Sequence, residues 1–355
     1  MPITAAIVKD LARASGFELA GVAAALPTDD FARFEMWRTR GMAGEMKYLT
    51  DRRGAMRADP RELLPGAQSI VCVGKLYNTP YPRSIEMKGD TSDLDRGWIS
   101  RYAWGGDYHE LLRAPLGKLI SGIAGIHGET FDSKICIDSA PLLERSYARA
   151  AGLGWIGKNT CLINQEQGSW FLLAEVLLSI PLAVDTAAPD RCGTCHRCID
   201  ACPTEAIVPN GAGEWTLDAR LCISYLSIEK RGELPAELAN RVENHIFGCD
   251  ICQDVCPWNR RAPVTLDEHF GPVEFAPGLE RMADLTEVEF RMLFRQSPIW
   301  RTKYEGFLRN VAVALGNSGN ASVKEPLERL SRHANSVISG AAKRALGEWE
   351  ARHAV

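Results

Sequence analysis

The sequence predicts an α/β domain over residues 1–185, a cysteine-rich domain over 186–277 and an α-helical segment over 278–355. Three observations carry this division. Strand-type and helix-type hydrophobic patterns alternate through the first half, eight cysteines crowd between positions 192 and 256, and paired helical patterns without cysteine follow Pro277. At 355 residues the chain is long enough for two or three domains with buried cores. Hydrophobic residues at 46% and charged residues at 24% exclude a disordered or collagen-like chain. No apolar run approaches the roughly 20 residues that span a bilayer. The first 21 residues carry Asp10 and Glu18 in an amphipathic pattern instead of a basic start and an apolar core, so a cytoplasmic protein without a membrane partner is expected.

In chain order, Ile7, Val8, Leu11 and Ala14 recur at helical spacing and Gly16 closes the pattern, after which FELAGVAA reads as a strand. Further strands are expected in SIVCVGKLY from Ser69, KICIDS from Lys134 and WFLLAEVLL from Trp170, with helices over 28–40, 107–127 and 141–151. PLAVDTAAPDRCG, with Pro181 and Pro189, reads as a linker. Beyond Pro277, the helical patterns around FLRNVAVAL, KEPLERL and ISGAAKRALGEW are broken by GNSGN and RHANS, the layout of stacked HEAT-like helix hairpins.

Eleven cysteines in a chain without a secretion signal argue for reduced thiols or metal ligands. Cys72 and Cys136 fall on apolar strand patterns and read as buried small hydrophobes, as does Cys161. Residues 192–203 read CGTCHRCIDACP and residues 249–257 read CDICQDVCP, with Cys222 upstream. This is the spacing of bacterial two-cluster ferredoxins: three thiolates of a tight loop reach one cubane, and the fourth cysteine of the run crosses to the other. One 4Fe–4S cluster is therefore assigned to Cys192, Cys195, Cys198 and Cys256, and the other to Cys202, Cys222, Cys249 and Cys252. The competing reading is a pair of structural zinc sites, although zinc motifs show two separated C-x2-C knuckles. His196, inside the first loop, reads as a solvent-facing residue. Two clusters form a wire for single electrons, so a further redox centre or substrate site is expected in the α/β domain.

RYAWGGDYHELL at 101–112, CIDSAPLLERSYARAAGLGWIGKNT at 136–160, the ferredoxin run and CISYLSIEKRGELP at 222–235 together resemble the epoxyqueuosine reductases, over nearly the whole chain. The resemblance implies an N-terminal α/β cobalamin-binding domain, a two-cluster ferredoxin-like domain that delivers electrons to cobalt, and reduction of epoxyqueuosine to queuosine at the wobble position of tRNA. It makes Asp138 the catalytic acid. Protonating the departing epoxide oxygen suits a carboxylic acid with a raised pKa. Read from the residues alone, Asp138 and Ser139 equally suit a cap on a helix starting near Pro141, with Glu144 completing the capping pattern.

The cobalamin contacts implied are Arg57, Tyr102, Asp138, Lys158, Asn159, Ser169 and Ser224. Glycines around Lys158 and Asn159 would permit close backbone approach to a planar cofactor, while Lys158 alone also reads as a solvated turn residue. His109 reads as a helix-start residue. The cobalamin-binding signature D-x-H-x-x-G is absent, because Leu112 stands where Asp107 and His109 would require glycine, so no histidine is expected on cobalt.

The tRNA partner would bind through its anticodon loop. The segment after Pro277 carries 12 basic against 9 acidic residues, a net +3 in a chain of −4, which marks the helical segment as the phosphate-facing surface. Arg145, Arg149, Lys230 and Arg231 are candidate grips on the anticodon loop, and Tyr225 and Trp258 candidate stacking partners for the base. A flavodoxin or ferredoxin is the expected electron donor and a monomer the expected state. Two other readings compete: a corrinoid reductive dehalogenase, disfavoured by the absence of a twin-arginine signal, and a ferredoxin-type electron-transfer module lacking both corrin and tRNA affinity.

Overall fold

Thr4 accepts the Ile7 N–H at 3.3 Å and opens helix α1 (Ala5–Ala14) in the computed structural model, which describes residues 3–89, 95–211 and 213–353. Four strands form the first sheet: β1 (Leu19–Ala24), β2 (Ser69–Leu76), β3 (Ser133–Cys136) and β4 (Phe171–Leu178), in the order β1-β2-β4-β3. On one face, Val71, Val73, Ala174 and Val176 pack against Val8 and Ala12 of α1 and against Leu116, Leu119 and Ile123 of α2 (Arg113–His127). The opposite face places Ile70, Cys72, Cys136 and Leu177 against Tyr147 and Ala148 of α3 (Glu144–Ala150). With both faces covered, the strands read as unbroken apolar runs.

The mixed α/β composition matches the expectation, but every strand pair in this sheet is antiparallel. The chain between β1 and β2 does not cross back over the sheet. Its helix Asp30–Thr39 has no buried residue and leans the other way, with Trp37 Nε1 donating to the Leu217 carbonyl at 2.6 Å and Arg33 paired with Glu214. The predicted helix over 107–127 breaks at Leu112 into Tyr108–Leu111 and α2. The linker has no regular structure over 181–192, yet Asp185 anchors it by accepting from Lys9 Nζ at 2.6 Å and from the Val22 N–H at 2.9 Å.

Helix α4 (Ile223–Ile228) begins directly after Cys222. Three further helices end the chain: α5 (Lys303–Ser318), α6 (Lys324–Ser331) and α7 (Ser336–His353), with Gly319 at φ +72 closing α5. Phe307, Val311, Leu315, Ile338 and Ala345 from these helices share one core with Trp98, Trp104, Leu226 and Phe247. Arg309, only 1% exposed, fastens α5 to the cysteine-bearing region, donating to the carbonyls of Leu226, Lys230 and Gly232 at 2.7–2.8 Å. This junction fixes Arg301, just ahead of α5, above the end of β3. Among the described residues no helix is long and apolar enough to cross a membrane.

Candidate active site

Strand β3 ends at Cys136, and the Ser139 N–H then bonds back to the Ile137 carbonyl. That closes a three-residue γ-turn with Asp138 at its centre and φ +52, a left-handed conformation that glycine favours and L-residues adopt infrequently, asparagine and aspartate more often than most. The expected cap is reversed. Helix α3 starts only at Glu144, its N-cap is Leu143 without a side-chain bond, and Glu144 Oε1 reaches back to accept the Asp138 N–H at 2.7 Å.

The turn aims the Asp138 carboxylate, 46% exposed, at three donors. Tyr108 Oη donates to Oδ2 at 2.8 Å, His109 Nε2 lies 3.6 Å away and the Arg301 guanidinium 3.8 Å away. His109 stacks on Tyr108 with ring centroids 4.2 Å apart, and its Nδ1 bonds Asp107 at 2.7 Å. Arg301 pairs with Glu229 at 2.7 Å and lies over the Tyr48 ring. The partly buried position pushes the Asp138 carboxyl up, but the hydrogen bonds from His109 and Tyr108 and the charge of Arg301 outweigh it and hold the group below the usual carboxylate range. The expected raised pKa is therefore corrected for Asp138. The elevated group is His109, lifted to about 9 by its hydrogen bonds to Asp107 and Asp138.

Asp138 opens onto a cavity of about 650 Å³, in the range of ligand pockets, lined also by Lys47, Tyr48, Arg53, Glu229, Arg231 and Arg301. A second cavity of about 350 Å³ adjoins it at Arg53 and Ser139 and adds Arg52, His109, Arg113 and Lys134. Cations outnumber carboxylates around this mouth, as phosphate-backbone binding requires.

The eight clustered cysteines fall into two groups. Cys192, Cys195, Cys198 and Cys256 line one cavity, and the neighbouring thiols reinforce burial in pushing Cys198 up to about 12. Burial likewise raises Cys249, reinforced by Cys222 and Cys202, and Cys252 feels both Cys249 and Cys222. Thiols that crowd and repel one another in this way form a donor set for a cationic group. Among the described residues no set of His, Cys, Asp or Glu closes on a single-ion position. Cys72 and Cys136 are buried in the sheet; Cys161 instead hydrogen-bonds Cys252.

The other predicted contacts divide. Tyr102 is half-buried, its ring 6.1 Å from Tyr108 and 6.0 Å from Phe247, two residues ahead of Cys249. Arg57 is buried and donates to the carbonyls of Tyr48 and Arg53. Lys158 donates to the carbonyls of Gly193 and Cys195, and Asn159 to that of Cys252. Ser169 is held by Gln253 and Asn259, while Ser224 bonds the Cys222 thiol. Among the RNA-contact candidates, Tyr225 is buried with its hydroxyl accepting from Glu45 N–H, and Trp258 packs on Trp155 at the first thiol group, so neither offers a free face for a base at Asp138. Arg145 bonds the Thr160 carbonyl, Arg149 pairs with Asp30 and Lys230 with Glu45; Arg231 lines the cavity. Tyr48, Tyr108, His109, Glu229 and Arg301 emerge only from the structure. Tyr108 and His109 lie inside the RYAWGGDYHELL motif and Glu229 inside CISYLSIEKRGELP, whereas nothing local to Tyr48 or Arg301 marks them.

Residues 57–139 match the family model described as Epoxyqueuosine reductase QueG, DUF1730, a segment that ends on the Asp138 turn. Residues 191–259 match the 4Fe-4S double cluster binding domain, which covers both thiol groups. The chain is 41% identical to the epoxyqueuosine reductase of Xanthomonas campestris pv. campestris over 94% of its own length and 92% of that protein. To the enzyme of Escherichia coli it is 40% identical over 85% of its length and 78% of that protein. A crystal structure of epoxyqueuosine reductase with an epoxyqueuosine-modified tRNA-Tyr stem loop superposes with a TM-score of 0.85 at 30% identity, covering 96% of this chain and 89% of that one. The structure of the Streptococcus thermophilus enzyme gives a TM-score of 0.83 at 27% identity, covering 97% and 90%. With two-fifths of its residues identical over nine-tenths of its length, and the same fold around the Asp138 turn and the paired thiol groups, the chain belongs to the epoxyqueuosine reductase family.

Proposed function

We propose that the reduction of epoxyqueuosine in tRNA, the activity of the family to which the chain belongs, takes place at the wobble position with Asp138 as the group that hands a proton to the epoxide oxygen. Overall, two electrons and two protons are consumed, both C–O bonds of the epoxide break, a C=C bond forms and the oxygen leaves as water. The observation that carries the reading is the γ-turn that presents Asp138, between Tyr108, His109 and Arg301, to a cation-rimmed cavity. In the resting site Asp138 is ionised and His109 holds the proton. A substrate that covers the cavity removes water from the carboxylate, raises its pKa toward that of the imidazole and moves the proton to the oxygen nearest the epoxide. Tyr108 keeps its proton and fixes the orientation of the carboxylate.

The two clusters are assigned to the two thiol groups as partitioned above. The loop Cys192–Cys198 is partly exposed, preceded by the exposed Arg191 and itself carrying the exposed Arg197; an acidic carrier of the flavodoxin or ferredoxin kind would deliver electrons there. Cobalamin, when bound, would supply the reducing centre that brings electrons to the epoxide carbons. Its rim is assigned to Arg57, Tyr102, Asp138, Lys158, Asn159, Ser169 and Ser224, with Tyr102 connecting the Asp138 side to the loop before Cys249. Both nitrogens of His109 face carboxylates, so that ring is engaged within the site. The C-terminal helices, read as HEAT-like, add Arg301 to the tRNA-facing rim of a monomeric, cytoplasmic enzyme. Nucleoside analysis of epoxyqueuosine tRNA after anaerobic turnover tests this reading.

A further inference from the structure

Behind the turn that carries Asp138 lies a pair of carboxyl groups without a part in the chemistry above. Glu175, in the middle of β4, is fully buried. Its register partners are Cys72 on one neighbouring strand and Cys136 on the other, so it sits in the apolar layer beneath α3. Neither of its oxygens meets a conventional donor among the described residues. The group within hydrogen-bond reach is another acid, Glu144, the first residue of α3. Glu144 in turn accepts the Asp138 N–H at 2.7 Å.

A hydrogen bond between two carboxyls exists only when one of them is protonated. Two ionised carboxylates side by side in this layer would be strongly disfavoured. Burial accordingly pushes Glu144 up to about 8 and Glu175 well above the usual range. The titratable groups around the pair are Asp138, Arg57, Arg145, Tyr108, Cys72 and Cys136. Arg145 is bonded to Thr160 and Arg57 to two backbone carbonyls, so neither is paired with these acids. An apolar side chain would suit the position of Glu175 better on stability alone. What the pair does contact is the backbone of the γ-turn, whose left-handed residue needs an external restraint.

We propose that Glu175 and Glu144 form a proton-sharing carboxyl pair that holds Asp138 in its γ-turn, making both of them positioning residues for the reduction. The proton on Glu175 fixes the rotamer of Glu144, Glu144 fixes the Asp138 N–H, and the turn then aims the Asp138 carboxylate at the cavity. The inference rests on Asp138 being the proton-delivering group.

Holoenzyme variants are compared by thermal melting, by cluster and corrin absorption and by steady-state kinetics on epoxyqueuosine tRNA. Glu175→Leu is expected to melt at or above the wild-type temperature with unchanged absorption and unchanged KM for tRNA, while kcat falls about 10²-fold because the reacting carboxylate is misplaced. Glu175→Gln still donates to Glu144 and is expected to recover most of that loss. Glu144→Ala, at a half-buried helix start, is expected to show the same kcat loss at constant KM. Wild-type kcat in Glu175→Leu or Glu144→Ala, or a Glu175→Gln variant as slow as Glu175→Leu, overturns the proposal. Should Glu175→Leu not fold, Glu144→Ala and Glu175→Gln decide it. Asp138→Asn in parallel separates the two levels: an active Asp138→Asn enzyme removes the reading of Asp138 itself, whereas an inactive one beside a fully active Glu144→Ala removes only the pair.

Discussion

His109 Nε2 stands 3.6 Å from the Asp138 carboxylate while Nδ1 of the same ring bonds Asp107 at 2.7 Å, so a single imidazole links two acids across the mouth of the cavity. Those bonds raise the ring from its ordinary 6.5 to about 9. A folded pKa above the unfolded one means that the interaction is complete below pH 6.5 and is lost as pH rises through about 9. Turnover is expected to decline over the same interval in wild type. His109→Gln is expected to lower kcat about 10²-fold and to flatten that alkaline limb; an intact limb in the variant would exclude His109 as the proton source.

Asp138→Asn retains the Asp138 N–H to Glu144 and the volume of the side chain, but it can no longer take a proton from His109. It is expected to keep iron content and corrin absorption at wild-type levels and to lose turnover by about 10²–10⁴-fold. Product mass spectrometry beside the absorption spectrum checks both halves. Normal turnover would remove Asp138 from the mechanism.

Much of this site is legible in the sequence, and the limits have physical causes. The cysteine spacing reports local loop geometry, because short gaps force neighbouring thiols together, and the double-cluster domain it predicts is the one residues 191–259 match. Asp138 stands out at the end of an apolar run. The same run did not reveal antiparallel pairing, since a sheet covered on both faces reads as apolar in either orientation and the helix Asp30–Thr39 left the sheet for Leu217. The pairing of Arg301 with Glu229 was unreadable, although Glu229 lies in the 222–235 motif, because the buried junction around Arg309 brings the two together from distant parts of the chain. Tyr225 misled for a related reason: aromatic residues near functional motifs are often core, and composition does not separate buried from surface aromatics.

Arg309→Met tests that junction. The change leaves the carbonyls of Leu226, Lys230 and Gly232 without their buried donor, and a loss of about 3 kcal/mol in unfolding free energy is expected from groups of this kind. Chemical denaturation of the holoenzyme measures it. A loss under about 1 kcal/mol would show that the carbonyls find other donors.

Cys222 reaches its group from 20 residues beyond Cys202, at the start of α4. Cys222→Ser is expected to lower iron from about eight toward about four per chain, since the remaining thiols of that group no longer complete a cluster. An unchanged iron count would overturn the assignment of Cys222.

The most direct measurement is anaerobic turnover of tRNA bearing epoxyqueuosine by the cluster-loaded chain and a chemical reductant, with and without added cobalamin, read by nucleoside mass spectrometry. Queuosine is expected only when cobalamin is present and only while Asp138 is intact. Queuosine formed without the corrin, or no queuosine from a chain that holds both clusters and cobalamin, would contradict the proposed reaction at this site.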